Sequence, residues 1–195
     1  MRRTLDRLYD GALWLAAVTF ALIAALVLVQ ILGRLADRAA RAMDLPPPGI
    51  TIPSLAEFGA FLFAGAVFLG LAGTLQAGGH VRVKLLVRAL PEAPARWLGA
   101  VVSAAAAALA GFATWSSALQ ALDSLRFNSV SYGVVPIPLA IPQGVMTLGL
   151  ALLAVALVDS AVTLARGGTP AYRAAEARTE ESTEASSETS TEESA

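Results

Sequence analysis

Four long apolar runs, separated by short segments rich in arginine, proline and glycine, set the pattern of this chain. Each run is about twenty residues or longer, and at 1.5 Å per residue that length crosses a hydrocarbon core of roughly 30 Å. The pattern predicts an all-α integral membrane fold with spans at about 11–32, 55–77, 97–121 and 143–164. The first run, Gly11 to Leu32, follows Arg2, Arg3 and Arg7. It is too long for the apolar core of a signal peptide, and no small-residue cleavage site follows it directly, so a retained span is expected. The segment from Gly33 to Pro53 holds Arg34, Asp37, Arg38, Arg41 and Asp44 and then Pro46-Pro47-Pro48-Gly49, which no single helix can accommodate.

The second span opens with Pro53-Ser54-Leu55-Ala56-Glu57, whose Ser-x-x-Glu spacing predicts a capping box. Around it Gly59, Ala66, Gly70 and Gly73 share an arc of about 60° at 100° per residue, a small-residue stripe that lets another backbone approach closely. Glu57, Phe61 and Phe68 fall on a different face. The third run carries the alanine block Ala104 to Ala108, too weakly apolar to favour lipid on all sides, and is expected inside the bundle. Tyr132-Gly133 and the prolines 136, 138 and 142 predict a turn and extended connector before the fourth run, whose one charge, Asp159, lies near its far end.

Between the second and third spans, Gly78 to Pro91 is basic and amphipathic. As a helix it would place His80, Lys84 and Arg88 on one stripe, with Arg82 beside them, and gather Val83, Leu86, Val87 and Leu90 on the other side. That is the form of a helix lying on a membrane surface, its charges among lipid phosphates. Ten of the 14 basic residues lie near the amino terminus, in the connector made of this segment and Arg96, or in the carboxyl flank. Arg34, Arg38, Arg41 and Arg126 are the rest. The bias predicts both termini in the cytoplasm, with residues 1–10 as a cytoplasmic amino terminus. The membrane domain is expected over 11–166, followed at 167–195 by a disordered acidic tail of Glu, Ser and Thr.

Composition agrees, with 56% hydrophobic residues in 195 and a mean hydropathy of +0.64. With no cysteine and a single histidine, the chain has neither the thiolates nor the paired imidazoles of a haem or of the common zinc sites, and no cofactor is expected. Hydrolase, P-loop and dinucleotide signatures are missing, and the spans hold almost none of the ionisable groups that pumps and proton relays need. A non-enzymatic helper in the membrane is the expectation.

Several short motifs, taken in order, resemble the small membrane subunit of TRAP transporters, the DctQ family. They are Gln30-Ile31-Leu32-Gly33-Arg34, Glu57 at the opening of span two, and Phe68-Leu69-Gly70 leading to Gly79-His80-Val81-Arg82-Val83. Ile137-Pro138-Leu139 and Ile141-Pro142-Gln143 follow before span four, and the likeness covers roughly residues 10 to 165. Lys84 stands where that family usually has an aspartate. The resemblance implies a three-part secondary transporter of the bacterial inner membrane. A periplasmic substrate-binding protein (DctP-like) would capture an organic acid, and a large membrane subunit (DctM-like) would carry the substrate and sodium sites. This chain would scaffold the large one and touch lipid, with no nucleic-acid partner.

On that reading the candidate subunit or lipid contacts are Arg34, Glu57, Gly59, Ala66, Gly70, Gly73, His80, Arg82, Lys84 and Arg88. Glu57 has two readings, the capping box with Ser54 and a pair with Arg34 across the outer ends of two antiparallel spans. Arg34 alone is an interface anchor. Trp14, Trp97 and Tyr9 are expected in the interfacial aromatic belt. The competing function is a four-span scaffold or sensor unrelated to transport, its acidic tail recruiting a partner.

Overall fold

The computed structural model describes residues 2–79 and 91–192. It contains helices α1 (Arg2–Ala42), α2 (Leu55–Gln76), α3 (Glu92–Arg126), α4 (Ala140–Ala165) and α5 (Ala171–Glu192). The first four are long and apolar enough to cross a membrane, so the expected four-span helical architecture is present. The expected surface helix, with His80, Arg82, Lys84 and Arg88, falls on residues 80–90, outside the described residues.

The helices do not close into a ring. α1 packs on α2, α2 on α4, and α4 on α3, which leaves α1 and α3 at the two ends of the array. α1 meets α2 along one narrow stripe that runs from Leu5, Tyr9 and Ala12 through Ala16 and Thr19, and the same stripe continues in steps of three and four to Gln30, Gly33 and Asp37, which face the connector. This is the spacing that keeps one seam of a helix against a straight neighbour. The alanine block therefore has a different place from the expected one: Ala107 is buried, but Ala104, Ala105 and Ala108 are exposed, because α3 is an end helix with a single full neighbour. Its contact face toward α4 is built from small residues, among them Gly99, Ala100, Ser103, Ala107 and Ala110, and Ser117 hydrogen-bonds Thr147 across the seam at 2.8 Å.

α2 and α4 run parallel and cross closely. A Cβ on Gly149 would collide with the backbone of Phe68, and one on Gly65 would press on Val145 at 3.2 Å. Without side chains at these two positions the backbones approach, which substitutes dispersion contact for a hydrophobic drive that does not exist between helices in lipid.

All four spanning helices end alike. Asp44, Gly78, Asn128 and Gly167 take a left-handed conformation, at φ 55, 73, 48 and 79. In each case the next amide bonds a carbonyl five residues back: Leu45 to Ala40, Gly79 to Thr74, Ser129 to Ser124, and Gly168 to Thr163. This is the Schellman stop, which satisfies carbonyls that lipid or a crowded interface could not.

Three expectations are corrected. α1 continues ten residues past the end of its apolar run, because Arg34, Asp37, Arg38 and Arg41 end a span without ending a helix. The capping box is absent: Ser54 sits at φ 56, ψ 22 with no side-chain cap bond, whereas a capping side chain needs the extended region to reach the first amides. And α5 replaces the expected disorder, since its alanines and glutamates are good helix formers and its first turn is anchored. Tyr172 and Pro170 are fully buried, and a Cβ on Gly78 would meet the Tyr172 carbonyl and the Glu176 side chain.

Candidate interaction surfaces

At the outer end, defined as the end where α1 and α3 finish, the connector after α1 folds back along it. Asp37 Oδ1 accepts the Gly49 amide at 2.9 Å and Gln30 Oε1 accepts the Ile52 amide at 2.8 Å. Between them Gly33 lies beneath the Ile50 carbonyl, so closely that any Cβ there would collide with it. Gln30, Gly33 and Asp37 thus continue the packing stripe of α1 past the reach of α2 and hold extended backbone in place of a helix. These three were not singled out as site residues from sequence. Their spacing of three and four in register with Ala12, Ala16 and Thr19 was the available signal.

Arg34, on the neighbouring face, helps line a cavity of about 540 Å³ with Gln30, Ile52, Ser54 and Gly59. Glu57 makes no ion pair with it. Its carboxylate lies instead against Gly133 in the connector between α3 and α4, where a Cβ would overlap it, and its Oε2 is buried without a hydrogen-bond partner among the described residues. The same connector is a short hairpin. Val130 bridges Pro138, the Ser131 amide bonds the Ile137 carbonyl at 2.9 Å, and the Val135 amide donates to Ser54 Oγ at 3.3 Å. Ser54 and Glu57 therefore both serve the hairpin, and that use of Ser54 explains why it does not cap α2.

Within the span region, the small-residue stripe of α2 faces α1 over most of its length. Gly70 lies against Ala16, Gly73 against Leu13 and the Tyr9 carbonyl, and Ala66 is buried with Ala16 and Leu69. Gly59 has nothing near its Cβ position. Tyr9 is not a belt residue: it is 2% exposed in the core, in the space beside Gly73, whereas Trp14 is 74% exposed. Beside the contact of α1 with α2 an apolar groove of about 400 Å³ runs between α1, α2 and α4, walled by Leu15, Phe58, Phe61, Leu62 and Ile141. A third recess, about 530 Å³ between α3 and α4, is partly polar through Ser116, Ser117, Gln120 and Gln143.

No grouping of three or more metal-ligating side chains occurs among the described residues. Large apolar side chains cover the outside of α1 and α3, among them Trp14, Val18, Leu28, Leu32, Leu109 and Phe112.

Residues 23–167 match the family model described as Tripartite ATP-independent periplasmic transporters, DctQ component. No curated protein and no solved structure matches the chain.

Proposed function

Since this chain belongs to the DctQ family, the small membrane component of tripartite ATP-independent periplasmic transporters, we propose that it scaffolds a large DctM-like membrane subunit during sodium-coupled uptake of an organic acid. The observation that carries the scaffold role is the state of α1. It has the most apolar stretch of the four spanning helices and buries the smallest share of it, while α2 buries the largest. A helix with one narrow seam on its own chain leaves most of its circumference for lipid or a second subunit. In lipid that second contact must come from fitted packing, because burying apolar surface gains nothing there.

The remaining features fit a support better than a carrier. α3 between Trp97 and Leu122 has no ionisable side chain, and α4 has only Asp159. The seams between helices are made of backbone in close contact at Gly149 and Gly73, an arrangement with few alternative packings. Cation placement favours both termini in the cytoplasm of a bacterial inner membrane, which puts the docked connector and the hairpin on the periplasmic side, where a DctP-like substrate-binding protein arrives.

Co-expression of the chain with the large and soluble components tests the proposal. The expected result is a complex that survives mild detergent, and uptake of an organic acid that requires both sodium and this chain. Uptake that continues undiminished when the chain is deleted would sink it.

A further inference from the structure

At the inner end, where α3 begins and α4 finishes, an apolar groove of about 310 Å³ lies between these two helices. It is lined by Ala100 and Ala104 of α3 and by Ala161 and Ala165 of α4, beside the larger Trp97 and Val162. Trp97 is exposed, and a tryptophan in that state at the end of a span marks headgroup level. Two arginines stand at the same level. Arg96 precedes Trp97, and its guanidinium crosses from α3 to the end of α4, with Nη1 3.3 Å from where a Cβ on Gly167 would lie. Arg166, the neighbour of that glycine and the C-cap of α4, is exposed. Neither arginine has an ion-pair partner among the described residues. Arg173 reaches the same end from α5, its Nη2 3.1 Å from the Cβ position of Gly99. The acids on these turns stand apart from the groove. Glu92, the first residue of α3, falls about 130° from the groove face at 100° per residue. Asp159 lies about 10 Å deeper in the span than Arg166, where its charge acts on Tyr9.

A groove open to the bilayer accepts an acyl chain by close packing, since chain and lining are equally apolar, and that alone selects no particular lipid. The selection comes from the arginines. A guanidinium is a planar fork that pairs with phosphate oxygens in two bonds at once, and two of them flank one groove. A zwitterionic headgroup brings a cation of its own, which the arginines repel, whereas a net anionic headgroup brings none. We infer that Arg96 and Arg166, with the alanine-lined groove, form a site for one anionic phospholipid of the inner leaflet. Its phosphate sits between the two guanidiniums and one acyl chain lies along Ala100, Ala104, Ala161 and Ala165. Basic pockets between spanning helices on the cytoplasmic side hold headgroups of this kind. Because one arginine belongs to α3 and the other to α4, the lipid ties the end helix of the array to its single full neighbour. The site does not depend on the transport role proposed above.

The test uses the full chain in mild detergent, stripped of lipid and titrated with phosphatidylglycerol or phosphatidylethanolamine, with bound lipids counted by native mass spectrometry. The first phosphatidylglycerol is expected to bind about tenfold more tightly than the first phosphatidylethanolamine, and to raise the melting temperature. Arg96→Gln with Arg166→Gln removes that preference, while Arg38→Gln with Arg41→Gln, the same charge change at the outer end, keeps it. Arg96→Lys with Arg166→Lys retains part of it, the charge remaining without the fork. Ala104→Phe, at an exposed position, weakens the first binding event by filling the groove. Equal affinity for the two lipids overturns the inference. So does an outer-end variant that loses as much as the inner one, which would reduce the effect to net charge. An Ala104→Phe chain that binds undiminished overturns it as well, by leaving a phosphate contact without a groove. The titration is repeated on the chain assembled with its large subunit, and loss of the lipid there overturns the inference and assigns the groove to a helix of that partner.

Discussion

Asp37 and Gly49 are joined by a single hydrogen bond of 2.9 Å from the glycine amide to the carboxylate, across 12 residues of chain. That bond turns a proline-rich connector into a fixed part of α1. Its donor is a backbone amide and its acceptor is charged, so it is stronger than a neutral pair. Asp37→Ala is expected to cost about 1–3 kcal/mol, and to open the connector to protease between residues 43 and 53. Limited proteolysis of the detergent-solubilised protein, beside its thermal transition, reads both effects.

Gly149 is the tightest point of the α2–α4 crossing, with the Phe68 backbone where its Cβ would be. Gly149→Ala is expected to destabilise by about 1–3 kcal/mol, and Gly149→Leu by more, because the obstructing atoms are backbone and cannot rotate away. Gly144, five residues earlier on the same helix, has open space around it. Gly144→Ala should leave the melting temperature unchanged or raise it slightly through helix propensity, which makes it the internal control.

Glu57 is coupled to Gly133 and not to Arg34. A double-mutant cycle between Arg34→Ala and Glu57→Gln is expected to show a coupling below about 0.5 kcal/mol. A second cycle, Gly133→Ala with Glu57→Ala, should show a coupling of about 1 kcal/mol or more, the added methyl being tolerated once the carboxylate is gone. Equilibrium unfolding in mixed micelles supplies the four stabilities for each cycle.

Tyr172 is 2% exposed and fixes the start of α5 against the end of α2. Tyr172→Ala is expected to cost about 3 kcal/mol, in the range for emptying an aromatic site. Removing everything after Ala174 should cost less, since Tyr172 and Pro170 stay in place. Thermal denaturation of the two variants side by side decides the order, and the reverse order would show that stability resides in the distal turns of α5.

The number of spans was legible because a bilayer demands about twenty apolar residues of any helix that crosses it, and nothing else in this chain is that long and that apolar. Helix ends were not, since Arg34 and Arg38 signal where lipid stops while the Schellman turn at Asp44 decides where the helix stops. The stripe of Gly70 and Gly73 was visible as a pattern, but its partner α1 was not. Gly65 and Gly149 form no stripe and escaped notice, although they bring two helices closest together. Ser54 and Glu57 matched a local motif and were taken by a connector some eighty residues away, a competition that only the folded chain displays. Tyr172 was hidden by the polar composition around it, where a single aromatic side chain decides whether a tail is anchored.

The order of contacts, α1 with α2, α2 with α4 and α4 with α3, amounts to two helical hairpins laid side by side. Each hairpin is formed by helices consecutive in the chain, and residues 80–90 are the covalent tie between them. Cutting that tie would turn the α2–α4 seam into a bimolecular interface whose strength then depends on concentration. Two fragments made separately, one ending at Gly79 and one beginning at Pro91, carry complementary glycine-lined faces. Their reassembly in one membrane would then report the strength of the α2–α4 seam itself, with Gly65 and Gly149 at its closest approach.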